Sequence, residues 1–230
     1  MMNSKIKNIV FDLGGVVFMR DPKKCTEDFI RFFSFVRAEQ MPWFWNEYDR
    51  GTRSLEEVKG DLCELNNCDR KKVDEYLQLA IDKQEVIAPT EELIHDLKAA
   101  GYRLYVLSNM SKEFIAFLRE VPVYRYFDGE VVSCEEGVCK PEKEIYELLL
   151  SRYDLDPKET IFIDDRKENV EAAEKVGIEG FWFNRKDLEG TIGELRAKLR
   201  IKNRRSGASA EAELVWTMPS REEEKPAKQG

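Results

Sequence analysis

The chain lacks the features that mark several large protein classes. No stretch of its 230 residues reaches the roughly 18 apolar residues that span a bilayer, and its first residues run directly into a strand pattern rather than a signal-peptide pattern. Acidic residues outnumber basic ones by 45 to 37, and the formal net charge of −8 argues against a general nucleic-acid binder. These absences favour a cytoplasmic, globular protein without a membrane or nucleic-acid partner.

Cysteine and histidine are also scarce. The chain has one histidine and an odd number of cysteines: Cys25, Cys63, Cys68, Cys134 and Cys139. No C-x-x-C pair occurs, and four residues separate the members of the two closest pairs, which is poor spacing for zinc ligands. We therefore expect free, mostly buried thiols in a reducing compartment.

Four short segments each place a polar group where a buried strand is expected to end. They are residues 9–15, 106–109, 139–142 and 161–165. Three of them contain a continuous apolar run, which fits a strand buried on both faces of a parallel sheet. Ligands of open α/β sheets bind beyond the carboxyl ends of the strands. The segments therefore favour one shared site.

From residue 90 onward, helical and strand patterns alternate, which predicts a parallel sheet with crossover helices. The predicted fold class is α/β, a doubly wound, Rossmann-like parallel sheet. Strands are predicted at 6–11, 103–107, 129–133, 160–163 and 180–183. Helices are predicted at 90–100, 111–120, 141–153, 166–176 and 188–201.

A helical, aromatic-rich region interrupts this pattern after the first strand. Helices are predicted there at 25–39, 54–66 and 69–84, the second opening with a capping box of Ser54 and Glu57. We interpret residues 22–86 as a helical cap. The α/β core then comprises 1–21 and 87–202, and the polar composition of 203–230 predicts a flexible tail.

Asp12 is the candidate nucleophile, because a carboxylate can attack phosphorus and form an aspartyl-phosphate. Gly14 and Gly15 suit a tight turn behind it, where the backbone approaches the phosphate closely. A carboxylate that caps a helix or faces solvent is the alternative interpretation of Asp12.

Three further residues carry donors suited to a phosphate. Ser108 and Asn109 lie at a predicted helix start, where hydroxyl, amide and backbone N–H groups form an anion site; a simple N-cap is the alternative. Lys140, at the entry to the next helix, is positioned to neutralise both the phosphate and Asp12. An ordinary surface lysine is the alternative there.

Asp164 and Asp165 follow the last of these strands. Two adjacent acids repel each other unless a cation lies between them, and Mg²⁺ prefers oxygen ligands. Asn169 is positioned to brace this pair from the next helix. A solvated acidic turn is the alternative. The joint order of nucleophile, hydroxyl, lysine and acid pair favours a phosphoryl-transfer site.

Together the segments resemble the four motifs of the haloacid-dehalogenase superfamily of phosphatases, over residues 5–200. The resemblance implies that Asp12 is both nucleophile and Mg²⁺ ligand, and that Gly14 offers a backbone carbonyl to the metal. Residues 22–86 look like the first type of helical cap in this superfamily. The amino-acid sequences of residues 11–17, 48–54 and 139–146 are most similar to the branch that includes bacterial glucose-1-phosphatases.

The same resemblance implies roles for the later motifs. Ser108 matches the phosphate-binding hydroxyl, with Asn109 beside it, and Lys140 matches the lysine of the third motif. Asp165 matches the metal-binding acid of the fourth motif, with Asp164 alongside. The implied function is magnesium-dependent hydrolysis of a small phosphorylated metabolite.

One position departs from the superfamily pattern. Most of its phosphatases carry a second aspartate, a general acid and base, where this chain has Gly14. General acid catalysis contributes about 10² to 10⁴ in rate, so either another group protonates the leaving oxygen or the leaving group needs little help. A sugar phosphate such as an aldose 1-phosphate fits the second case. Water, or an acid of the cap such as Asp49, is a possible replacement.

Two other functions remain open. Carbon–halogen hydrolysis also uses an aspartate nucleophile, although displacing a halide needs no metal, and the acid pair argues against it. A non-catalytic phosphate-binding or interaction module is the second, and the retention of all four motifs argues against that.

In the cap, Trp43 and Trp45 suit either stacking on a sugar or internal packing.

Overall fold

The structure is a computed structural model that describes residues 6–38 and 41–201; the predicted tail, 203–230, lies outside these ranges. The strands are β1 (Asn8–Phe11), β2 (Phe18–Met19), β3 (Glu85–Val86), β4 (Arg103–Ser108), β5 (Gly129–Val132), β6 (Thr160–Asp164) and β7 (Glu179–Trp182). The helices are α1 (Glu27–Phe32), α2 (Trp43–Arg50), α3 (Leu55–Asn66), α4 (Arg70–Asp82), α5 (Ala88–Ala99), α6 (Lys112–Arg119), α7 (Ser133–Glu136), α8 (Lys143–Arg152), α9 (Lys167–Lys175) and α10 (Leu188–Leu199).

Five strands form one parallel sheet in the order β5–β4–β1–β6–β7. β1 lies at its centre, and Phe11 is paired with Val106 of β4 on one side and with Ile163 of β6 on the other. This confirms the predicted α/β class with its Rossmann-like sheet. The strands that end at Ser108 or just before Asp12 and Asp165 are therefore immediate neighbours.

Helices cover both faces of the sheet, which explains the unbroken apolar runs. Ile9 and Phe11 point into a core that includes side chains of α5 and α10, whereas Val10 points into a second core with α8 and α9. All three are fully buried, and burying an apolar side chain of this size stabilises the fold by about 1.5–3 kcal/mol. A strand with one wet face would instead alternate.

Helices α1–α4 form an insert between β2 and β3, which pair with each other in an antiparallel ribbon. The insert has its own aromatic and aliphatic core, which includes Phe29, Tyr48 and Leu62. The predicted capping box is confirmed, since Ser54 and Glu57 exchange side-chain and backbone hydrogen bonds at the start of α3. The cap boundaries at 22 and 86 remain a prediction. Strand β2 lies just before this range and β3 lies at its end.

Several elements differ from the sequence prediction. The helix expected at 25–39 is divided into α1 and a 3₁₀ turn, Ser34–Arg37, and the one expected from 141 begins at Lys143. Helix α2 was not predicted, because its aromatic residues have modest helix propensity. It buries Phe44, Trp45 and Tyr48, and such tertiary packing supplies most of a short helix's stability. Strands β2 and β3, two residues each, are too short for a periodic signal.

The five cysteines are all free, as predicted. Only Cys134 and Cys139 are buried, however, so the expectation that most of the thiols are buried was wrong. Among the described helices, none combines the length and the apolarity needed to cross a bilayer.

The end of α2 lies against the core through a glycine. Gly51 has φ +83°, and a Cβ atom there would lie 2.3 Å from the carbonyl oxygen of Cys134. Both the backbone conformation and the close approach require glycine. The position therefore fixes how near the insert comes to the core.

We expect Gly51→Ala to lower the free energy of unfolding by more than about 1 kcal/mol, because the side chain strains the backbone and clashes with Cys134. Gly60→Ala is the matched control: Gly60 lies within α3, and a Cβ there meets nothing within 4 Å. Alanine in a helix interior is favoured by roughly 0.5–1 kcal/mol, so the control should be stabilised. Urea unfolding of both variants measures the difference, and equal stabilities would contradict the close approach.

Candidate active site

The candidate site lies at the carboxyl edge of the sheet. Asp12 follows β1 directly, Ser108 is the last residue of β4, and Asp164 is the last residue of β6. Because these strands are parallel neighbours, their ends meet at one edge, where ligands of such sheets bind. The fold thus brings together residues that are up to about 150 positions apart in the chain.

Lys140 lies at the centre of this site. Its Nζ atom donates to Asp12 Oδ1 at 2.7 Å, to Asp164 Oδ2 at 2.7 Å and to the Leu107 carbonyl at 2.9 Å. These three bonds use all three ammonium protons. The side chain is only 2% exposed, so the alternative of a surface lysine was wrong.

Burial and charge act together on these groups. Burial raises the pKa of the Asp12 carboxyl; the Lys140 ammonium opposes this rise, and Asp164 adds to it. Burial also lowers the pKa of Lys140, but Asp12 and Asp164 outweigh that effect and the net shift is upward. Lys140 is therefore a fixed cation, placed where two anions would otherwise repel each other.

Ser108 and Asn109 differ in what they contact. The fully buried Ser108 hydroxyl donates to Asp12 Oδ1 at 3.1 Å. The Asn109 amide donates from Nδ2 to the Lys140 carbonyl at 2.9 Å and accepts the Lys140 N–H on Oδ1 at 2.8 Å. It thus holds the backbone of the lysine. The N-cap of α6 is Ser111, so the N-cap alternative for Ser108 was wrong.

Asp164 is completely buried. Its Oδ1 accepts the backbone N–H of Arg166 at 2.8 Å, and its Oδ2 accepts from Asn169 Nδ2 at 3.0 Å as well as from Lys140. Asn169 therefore braces this acid from α9. A solvated turn does not describe Asp164.

Asp165 points toward Arg185, a cation that was not among the predicted site residues. Its Oδ2 lies 2.8 Å from Arg185 Nε, and its carbonyl accepts from Trp182 Nε1 at 3.0 Å. Burial raises the pKa of Asp165 to about 7, with Asp12 adding to the rise and Arg185 opposing it. Arg185 follows β7, so it occupies the same carboxyl edge; its position after a strand was the available signal.

The acidic residues fit a magnesium ion. Asp12, Asp164 and Asp165 each offer a carboxylate oxygen, and these atoms lie within 4.8 Å of one another. Hard oxygen donors of this kind are the ligands that Mg²⁺ prefers. Burial and the neighbouring carboxylates raise the pKa values of Asp12 and Asp165, and a divalent cation would relieve that repulsion.

The two glycines after Asp12 have different surroundings. Gly15 has φ +84°, and a Cβ there would lie 2.7 Å from Asp165 Oδ2 and 2.8 Å from Arg185 Cδ. A Cβ on Gly14 would meet nothing within 4 Å. The turn therefore needs glycine at 15 for its close approach to Asp165, whereas the space at Gly14 would admit a side chain.

The tryptophans of α2 also differ from each other. Trp45 is 7% exposed and packs against Phe35 and Tyr48 with ring centroids 5.2 and 5.4 Å apart. Trp43 is 63% exposed, with the Arg53 guanidinium 4.6 Å from its ring centroid. Internal packing thus describes Trp45 but not Trp43.

A profile of a known protein family matches the part of the chain that carries most of the site. A family profile described as haloacid dehalogenase-like hydrolase matches residues 6–177. The chain belongs to this family. The matched range contains every candidate site residue named above except Arg185.

Individual relatives extend the comparison. The chain is 29% identical to a sesquiterpene phosphatase of Aspergillus oryzae, over 85% of this chain and 97% of that protein. It is 28% identical to a D-ribitol-5-phosphate phosphatase of Bacteroides thetaiotaomicron, over 76% and 91%. A solved structure of a family enzyme from Bacteroides thetaiotaomicron, in complex with magnesium and inorganic phosphate, matches with a TM-score of 0.63 at 26% identity, over 78% and 95%. The specific branch of the glucose-1-phosphatases remains a prediction.

We expect magnesium to raise the melting temperature of this protein, because it binds the folded acidic cluster. At one hundred times the dissociation constant, such binding stabilises by about 2.7 kcal/mol. Asp165→Asn removes one ligand and some of the repulsion, so most of the magnesium-dependent shift should vanish. Differential scanning fluorimetry with and without magnesium measures it.

Glu64→Gln is the control, since it removes one exposed carboxylate from α3. This variant should keep the full magnesium-dependent shift. An unchanged shift in Asp165→Asn would show that the ion binds elsewhere.

Proposed function

We propose that this chain is a magnesium-dependent phosphatase that hydrolyses a small phosphorylated metabolite through an aspartyl-phosphate on Asp12. The observation that carries the proposal is the hydrogen-bonded set of Asp12, Lys140 and Asp164 beside the acidic cluster. A fixed ammonium beside a nucleophilic carboxylate lets a second anion, the phosphate, approach.

The contacts of Asp12 support attack by one of its two oxygens. Oδ1 accepts hydrogen bonds from Ser108 and Lys140, whereas within the described ranges no donor bonds to Oδ2. In the proposed reaction Oδ2 attacks phosphorus, and the bond between phosphorus and the leaving oxygen breaks. Water then attacks the phosphorus of the aspartyl-phosphate, which releases phosphate and restores the carboxylate.

The other residues take supporting roles in this proposal. In this proposal Lys140 neutralises the phosphate through its charge, and the Ser108 hydroxyl turns from Asp12 to a phosphate oxygen when the substrate binds. Asn109 positions Lys140 through its peptide instead of contacting the phosphate. Asp12, Asp165 and the Gly14 carbonyl would hold the metal, which supplies charge neutralisation at the phosphate oxygens. Asp164, braced by Asn169, keeps Lys140 in place.

For the substrate we propose a sugar or polyol phosphate. The phosphatase of Bacteroides thetaiotaomicron is named for D-ribitol 5-phosphate and the Aspergillus oryzae relative for a sesquiterpene phosphate, so relatives of similar identity differ in the alcohol. An aldose 1-phosphate is the narrower candidate, on the argument that its leaving group needs little protonation. The acidic cluster favours phosphate chemistry over carbon–halogen hydrolysis.

Phosphate release from a panel of phosphorylated metabolites tests the proposal. The panel contains aldose 1-phosphates, sugar 6-phosphates, pentitol 5-phosphates and isoprenoid phosphates, each with magnesium or with excess chelator. We expect turnover only with magnesium. Asp12→Asn keeps the shape of the side chain but removes the attacking charge, so its turnover should fall to background.

The fold of Asp12→Asn is checked by its melting temperature, and Glu64→Gln should retain wild-type turnover. Incubation of the wild type with substrate should add one phosphate to Asp12, detectable by mass spectrometry. Normal turnover by Asp12→Asn would refute the aspartyl-phosphate mechanism.

A further inference from the structure

The turn after the nucleophile offers no carboxyl group, but the insert brings one to the site. Asp49 is the penultimate residue of α2 and is half-buried. It lies outside the four motif segments, within the 48–54 segment that resembles the glucose-1-phosphatase branch. Its surroundings therefore bear directly on how the leaving group is protonated.

The backbone around Asp49 is fixed to the core at the end of β5. The Ser133 hydroxyl donates to the Asp49 carbonyl, and the same hydroxyl accepts the N–H of Met110 at 3.0 Å. Two residues later, Gly51 lies so close to Cys134 that no side chain fits. These contacts hold the residue at the carboxyl edge of the sheet, where Asp12 also lies.

A second anchor joins α2 to the segment that carries Lys140. Arg50 Nη1 donates to the Gly137 carbonyl and to Glu142 Oε2, both at 3.0 Å. Glu142 lies two residues after Lys140 in the chain. The Asp49 peptide and the two residues that follow it are thus all held against the core.

The charged groups of the site act on the Asp49 carboxyl. Burial and Asp12 raise the pKa of this carboxyl, whereas the charges of Arg166 and Lys140 and the backbone N–H of Ser111, in the loop that follows Ser108, lower it. The Asp49 charge in turn adds to the raised pKa values of three weaker titratable groups, Tyr48, Cys134 and Cys139. Residues that follow β1, β4, β5 and β6 are therefore all within electrostatic range of this one carboxyl.

We propose that Asp49 is the general acid and base of this enzyme, supplied by the helical insert in place of an acid at position 14; the inference rests on the proposed phosphatase function. In the first step the protonated carboxyl gives its proton to the leaving oxygen as the bond to phosphorus breaks. In the second step the Asp49 carboxylate takes a proton from the water that attacks the aspartyl-phosphate. The cycle returns Asp49 to its protonated form.

The electrostatics of Asp49 suit both steps. Burial raises the pKa of its carboxyl to about 7, with Asp12 adding to the rise and Arg166 and Lys140 opposing it. A general acid and base is most effective when its pKa lies near the working pH. The buried Tyr48 hydroxyl of α2 is not a competing general acid, since it donates to Glu113 Oε2 at 2.7 Å and burial raises its pKa.

The substrate range follows from this assignment. An enzyme with a general acid hydrolyses esters of ordinary alcohols, whose alkoxides are poor leaving groups. The argument that favoured aldose 1-phosphates then loses its force, and polyol and primary-alcohol phosphates are equally accessible to this chemistry. For the wild type we expect a shallow dependence of kcat/KM on the acidity of the leaving group.

The test compares wild type, Asp49→Asn and the control Glu64→Gln on 4-nitrophenyl phosphate, phenyl phosphate and the fastest alkyl phosphate of the panel. Asp49→Asn should lose about 10²–10⁴ in kcat/KM on the alkyl ester, but less than tenfold in the rate of the first 4-nitrophenol release. A burst of 4-nitrophenol should then precede slow turnover, because the second step lacks its base. Glu64→Gln should behave as wild type.

A pH profile separates this role from a structural one. The wild-type kcat/KM on the alkyl ester should fall as the pH rises through about 7, since the acid must be protonated, and this decline should be absent in Asp49→Asn. The inference would be overturned if Asp49→Asn lost equally in kcat/KM on aryl and alkyl esters. It would also be overturned if the wild-type kcat/KM depended steeply on the acidity of the leaving group. Failure of the wild type on every phosphate ester, with no phosphorylated Asp12, would instead refute the proposed function.

Discussion

The buried ammonium of Lys140 is the interaction on which the rest of the site depends. It joins Asp12 after β1, the Leu107 carbonyl of β4 and Asp164 of β6, so one side chain fixes the relative positions of three strand ends. Removing one member of a buried ion pair leaves an uncompensated charge, which costs about 3–5 kcal/mol. The nucleophile and its supporting acid therefore require this lysine even before a phosphate binds.

Much of the fold was predictable because its signals are local. The apolar runs that end at Asp12 and Asp164 are strands buried on both faces, and the Ser54 capping box starts a helix as expected. The rule that ligands lie beyond strand ends correctly brought Asp12, Ser108 and Asp164 to one edge. The hydrophobic pattern and the direction of the strands were enough to place these three residues at the same edge.

The rest of the site depends on contacts that no local pattern encodes. Asn109 bonds to the peptide of Lys140, which is 31 residues away, and the pairing of Arg185 with Asp165 requires β7 to lie beside β6. Helix α2 is stabilised by packing its aromatic residues into the insert rather than by propensity. Such features follow from tertiary structure, so a single sequence could place these residues on elements but not against their partners.

The insertion of a helical cap changes what kind of acid the site can use. An acid on the turn after Asp12 would move with the nucleophile and be present in every conformation of the insert. Asp49 instead depends on the docking of α2, through Ser133, Gly51 and the contacts of Arg50. Under the proposed role of Asp49, protonation of the leaving group therefore depends on these contacts between α2 and the core. The open space at Gly14 fits this arrangement, since a second carboxylate there would add negative charge beside three acids whose repulsion already raises the pKa values of Asp12 and Asp165.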